Sequence, residues 1–247
     1  MKVHLKSFFK KEQQEDLHRF RVEVKKIRAF LILSESTSHH SKLTRCFKPV
    51  RQIFKQAGEI RNAYMNQELG RAQQIHNDEF MSRQYQLQVI AEKKFKSKKV
   101  RFLRKLKGTH RVLKKKIKPV SDLHISLFYQ TWLEQIADSL AELKFDEQLH
   151  TCRKRIKILI YNYKLARAVP KIGFNMDYLE QVQTAIGDWH DHLLAMALFS
   201  SDEVKDIAAV TRLKKQDSKL KRNIIALTKD FYNQAITVVK LPVEQLS

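Results

Sequence analysis

Two segments of this chain carry one pattern. Residues 17–30 read LHRFRVEVKKIRAF and residues 149–162 read LHTCRKRIKILIYN. In each, an Arg follows the His by three positions and a Lys by seven. Offsets of zero, three and seven share a face when each residue turns the chain by about 100°, which is the geometry of a helix. His18, Arg21 and Lys25 then form one row, and His150, Arg153 and Lys157 another. Roughly opposite the first row, Phe20, Val24, Ile27 and Leu31 recur at offsets of four, three and four, the apolar stripe of an amphipathic helix.

A second pattern recurs in the same order. VRQIFKQAGEIRN at 50–62 aligns with LEQVQTAIGDWHD at 179–191. Gly58 matches Gly187, an acid follows each, and Asn62 matches Asp191. The His-to-Gly spacing is 40 residues in the first half and 37 in the second. Two motifs in one order at nearly one spacing point to a duplication. Its expected form is two similar helical bundles related by an approximate two-fold axis. We expect one domain over 1–247, with an N-terminal repeat over 1–118 and a C-terminal repeat over 119–247, the boundary lying at Pro119.

Five Gly and four Pro in 247 residues are too few for a loop-rich β-protein, and the Lys, Arg, Gln, Glu and Leu content favours helix. The expected fold class is all-α. Helices are predicted over about 11–34, from Pro49 to near Gly70, over 73–107, over 125–143, over 146–168, over 177–199 with Asn175 as cap, and over 201–238. Gly108 and Pro119 are read as punctuation.

The hydrophobic share of 43% is that of a folded chain, yet the net charge is +22. Such an excess raises a surface potential of several kT and draws anionic partners. Cys46 and Cys152 form no CxxC pair, which suits a reducing compartment rather than a disulfide framework. No signal-like apolar region opens the chain, and no run approaches the roughly 20 apolar residues of a membrane span. The expectation is a soluble, cytoplasmic protein.

The rows suit phosphate. Arg28 extends the first, and successive members lie about 4–6 Å apart along the axis. In the second helix Lys154 and Lys164 join the same broad face, and Tyr161 can donate a hydrogen bond. Arg offers a planar fork for phosphate oxygens, Lys a compact charge, and His one or two N–H donors. Residues 93–118 add fourteen Lys or Arg in twenty-six positions. They read as a solvated basic face, as an extension of the anion surface, or as a contact for nucleic-acid phosphates.

Together these segments resemble the CHAD family, the conserved histidine α-helical domain. The resemblance rests on HRFRVEVKKIR at 18–28, RQIFKQAGEIRN at 51–62, HTCRKRIKILIY at 150–161 and LEQVQTAIGDWHD at 179–191. It implies two four-helix bundles and binding of inorganic polyphosphate on a basic surface. Its His and basic positions fall on His18, Arg21, Lys25, Lys26 and Arg28, and on His150, Arg153, Lys154 and Lys157. Arg51, Lys55 and Arg61 are weaker candidates. Ile158 and Ile160 stand where the first half has Lys26 and Arg28, so the second half is expected to draw on Lys164 instead.

WHDH at 189–192 invites a metal-hydrolase reading, but His39, His40, His76 and His124 show no ligand spacing. Trp189 is expected to pack and Asp191 to pair with a basic side chain or cap a turn. No phosphate loop, GxSxG or HExxH occurs. The expected function is non-catalytic polyphosphate binding, with targeting to polyphosphate granules and with no metal or cofactor. Sulfate or free phosphate is a plausible stand-in at the site. The alternative is sequence-independent binding of an RNA or DNA backbone.

Overall fold

The computed structural model describes residues 1–36, 42–73, 77–166 and 173–237, with backbone alone for 164–166 and 237. The chain divides into two compact units. One comprises Met1–Pro119 with Ala195–Arg212, the other Val120–Leu194 with Leu213–Ser247.

The first unit holds α1 (Lys2–Lys11), α2 (Gln14–Ser36), α3 (Leu43–Cys46), α4 (Lys48–Ala72), α5 (Asp78–Lys96) and α6 (Lys99–Lys116). α2 packs on α1, α3 and α4, and α4 packs on α5 and α6. The predicted stripe faces this core: Phe20, Val24 and Leu31 are buried with Leu17, Val50, Ile53, Ala57 and Ile60. Pro49 sits in the first turn of α4, where its missing N–H costs little. α5 starts at Asn77, whose Oδ1 accepts from the Phe80 amide at 2.8 Å.

The second unit is built on α7 (Asp122–Ala141), α8 (Glu147–Ala166), α9 (Met176–Ser200), α10 (Ile207–Thr228) and α11 (Phe231–Ala235), with the ends of α9 and α10 belonging to the first unit. The Tyr129 hydroxyl on α7 donates to the Leu159 carbonyl on α8 at 2.8 Å. Asn175 caps α9 as predicted, its Oδ1 accepting from the Tyr178 amide at 3.1 Å. Trp189 is buried and meets Phe145 edge-on at 5.4 Å between ring centroids.

Several boundaries differ from expectation. The chain is almost entirely helical, but a two-residue antiparallel pair joins Gly173–Phe174 (β1) to Ile236–Thr237 (β2). The helix predicted to start near Lys11 is preceded by α1, because Leu5 and Phe8 bury fully and fold that segment back on α2. The hinge is Glu12, whose left-handed φ of 59° ends α1. The helix predicted over 73–107 breaks between Lys96 and Lys99. Residues seven apart on a straight helix are about 10 Å apart. The corner instead brings the Phe95 and Phe102 rings to 4.9 Å. Gly108 does not interrupt α6, since Phe102, Leu106, Thr109 and Leu113 carry its buried face past that position. The last predicted helix divides into α10 and α11. Lys205, at φ 45°, lies between the end of α9 and the start of α10. His39, His40 and His76 lie outside the described residues. No helix of the described residues is long and apolar enough to cross a membrane.

Candidate anion-binding sites

In the first unit, α2 lays its basic row along α4. Arg21 is seated most firmly. Its Nη1 donates to the Phe54 carbonyl oxygen at 2.8 Å, and its guanidinium lies 4.1 Å from the centre of the Phe54 ring. Gly58, one turn further along α4, leaves the space it occupies, since a Cβ there would stand 2.6 Å from Nη1. The carbonyl contact uses one N–H and leaves others for an anion.

Arg61 and Arg51, weaker candidates in the sequence, flank this row. Arg61 stacks over Tyr64 at 5.0 Å and acts on His18 and Arg21. Burial first, then the Arg61 charge, hold the His18 imidazole below its ordinary pKa. Arg28, pressed by burial and by Arg51, is shifted the same way. Cations that depress one another form a seat for negative charge. Lys25 is exposed on the row, whereas Lys26 lies 3.8 Å from Glu23, on the other flank of α2. Lys55 and Arg51 line a separate cavity of about 450 Å³ with Arg45 and Lys48.

The second unit repeats the contact. Arg153 on α8 donates from Nε to the Gln183 carbonyl oxygen at 3.1 Å, and a Cβ on Gly187 would stand 2.5 Å from its Nη2. Phe54 and Gln183 each precede the glycine by four residues. Arg61 and His190 each follow it by three. Where Arg61 stands near His18, His190 stacks on His150, with ring centroids 3.9 Å apart and planes 17° from parallel. Burial, then His190 and Lys154, bring the His150 pKa down to about 4. Both Nδ1 atoms are buried without a hydrogen-bond partner.

Lys157 is half-buried, 6.0 Å from the Tyr161 ring centre, and burial followed by Arg153 lowers its pKa. Burial raises that of Tyr161. Lys154 is paired with Glu147 at 2.9 Å, so much of its charge is answered within the helix. Ile158 and Ile160 are half-buried. The Lys164 side chain lies outside the description. His190 is the site residue that sequence reasoning passed over, although the aligned segments already set it against Arg61. Asp191 Oδ1 approaches His190 Nδ1 at 3.5 Å. Among the described residues, no group of three or more His, Cys, Asp or Glu is arranged to hold a metal.

The profile of the CHAD domain matches residues 1–200. The chain belongs to the CHAD family. The CHAD segment runs from the start of α1 to the end of α9, so both basic rows and both glycines fall inside it. No curated protein and no solved structure matches the chain.

Proposed function

We propose that this CHAD protein binds inorganic polyphosphate without breaking it, and that its halves arose by duplication of one helical bundle. One observation carries the reading. In each unit an Arg three residues after a His is seated by a carbonyl four residues before a glycine, and a second basic side chain three residues after that glycine acts on the His. Such a row offers Arg forks at fixed positions and Lys charges between them, which suits a flexible chain of phosphates.

The carboxylates beside the rows support binding rather than catalysis. Glu15 is held by Arg19, Glu23 lies near Lys26, Glu147 is held by Lys154, and Asp191 and Glu180 act on Lys157. Phosphoryl transfer ordinarily needs carboxylates free to carry a metal. Recruitment of the protein to polyphosphate granules follows from the same affinity.

The test is a competition at fixed salt, in which long-chain polyphosphate and RNA each displace a labelled polyanion from the protein. Polyphosphate is expected to displace it at the lower phosphate concentration. Stronger displacement by RNA overturns the reading.

A further inference from the structure

We propose that the outer face of α6 is a second, separate polyanion site, and that its ligand is duplex DNA, with the helix lying in the major groove. Between Glu92 and Asp122 the chain has no Asp or Glu. The fold does not ask for this. α6 meets the core through Phe102, Leu106, Thr109 and Leu113, on one side only. A merely solvated helix face usually mixes charge signs three and four residues apart, because such pairs stabilise it. Among the described residues no ion pair involves an α6 side chain.

The exposed side has an ordered crown. Arg101, Arg104, Gly108, Arg111 and Lys115 stand at offsets of zero, three, seven, ten and fourteen, one helical stripe about 21 Å long. All five are exposed. Gly108 sits mid-stripe, and a Cβ there would meet nothing within 4 Å. Its place is therefore not demanded by packing inside the protein, and it lets the helix backbone come close to a partner. Lys107 and Lys114 flank the stripe on one side, while Lys116 is turned to a cavity it lines with Lys42, Arg45 and Cys46.

This layout fits a groove better than a flat sheet or a single strand. A helix about 10–12 Å across enters the B-form major groove, about 12 Å wide. There the crown guanidiniums reach the base edges, where Arg pairs with guanine O6 and N7, while Lys107 and Lys114 face one phosphate wall. A membrane surface would call for an apolar crown. Here the apolar face is spent on the core, leaving Val100 and Val112 as the exposed apolar side chains.

The experiment measures binding of the full chain to a labelled 20-base-pair DNA, to duplex RNA of the same sequence, to long-chain polyphosphate and to phosphatidylserine vesicles, at one salt concentration. Duplex RNA is the discriminating arm, because its major groove is too deep and narrow for side chains to read. Two variants accompany wild type. Gly108→Leu keeps every charge and favours helix, so folding is preserved, while its side chain holds α6 off the groove floor. Arg101→Gln/Arg104→Gln/Arg111→Gln removes the crown. DNA is expected to bind about ten-fold tighter than duplex RNA. Gly108→Leu should weaken DNA by roughly ten-fold and leave polyphosphate within about two-fold, and the triple variant should weaken DNA by at least as much through loss of its base-edge contacts. Equal affinity for the two duplexes, or an unchanged DNA affinity in Gly108→Leu, overturns the proposal. So does vesicle binding that displaces DNA and is indifferent to Gly108→Leu, which would assign the face to a membrane. These results are independent of whether polyphosphate outcompetes RNA at the rows.

Discussion

Arg21 reaches from α2 to the carbonyl of Phe54 on α4, and its Nη1 lies where a side chain on Gly58 would have to be. A helical glycine that costs about 1 kcal/mol relative to alanine is thereby matched to a charged hydrogen bond of about 1.5–3 kcal/mol. Arg153, Gln183 and Gly187 repeat the exchange in the second unit. Gly58→Ala should therefore unseat the guanidinium rather than unfold the helix. The expected outcome is a net stability change within about 1 kcal/mol and a several-fold loss of polyphosphate affinity. Thermal melts and a binding titration check both, and an unchanged affinity would show that the seat does not matter.

The low pKa of His150 makes stability and affinity respond to acid in opposite directions. Its folded value of about 4 lies below the ordinary 6.5. Between those values the unfolded chain binds the proton and the folded chain does not. The contribution is fully present above pH 6.5 and is lost as pH falls toward 4. Phosphate oxygens beside the ring act the other way and raise its pKa, so proton uptake accompanies binding. Melting temperature should fall between pH 7.5 and 5 in the free protein, and fall less with polyphosphate bound. His150→Gln should flatten the free-protein curve, and a curve as steep as wild type would count against the assignment.

His190 stands where the first unit has Arg61, whose guanidinium carries a permanent charge. His190→Arg should give the second unit the permanent charge of the first. Affinity at pH 8 is expected to rise several-fold. Isothermal titration of wild type and variant at that pH measures the difference, and an unchanged affinity would remove His190 from the site.

The sequence made the rows legible because they lie within single helices, where spacing alone sets the face. Phe20, Val24 and Leu31 were readable for the same reason. What periodicity does not encode is contact between helices. It left unassigned the carbonyl seats at Phe54 and Gln183, the flanking places of Arg61 and Arg51, and the stacking of His150 on His190. Nor does it show that Glu147, seven residues earlier on the same face, pairs with Lys154. The missed corners at Glu12 and at Ser97–Lys98 share a cause. Both segments are helical on either side, and only the burial of Phe8, Phe95 and Phe102 in one core requires the chain to turn.

The central claim is that both basic rows hold polyphosphate, and calorimetric titration of long-chain polymer at fixed salt tests it most directly. The comparison is between wild type, His18→Ala/Lys25→Gln, His150→Ala/Lys157→Gln and the four-fold variant. These positions avoid the two seated arginines, so the folds should survive. Each single-row variant is expected to lose about ten-fold in affinity and the four-fold variant about a hundred-fold or more, since each lost phosphate contact weakens binding. A four-fold variant that stays folded and binds as tightly as wild type would contradict the account.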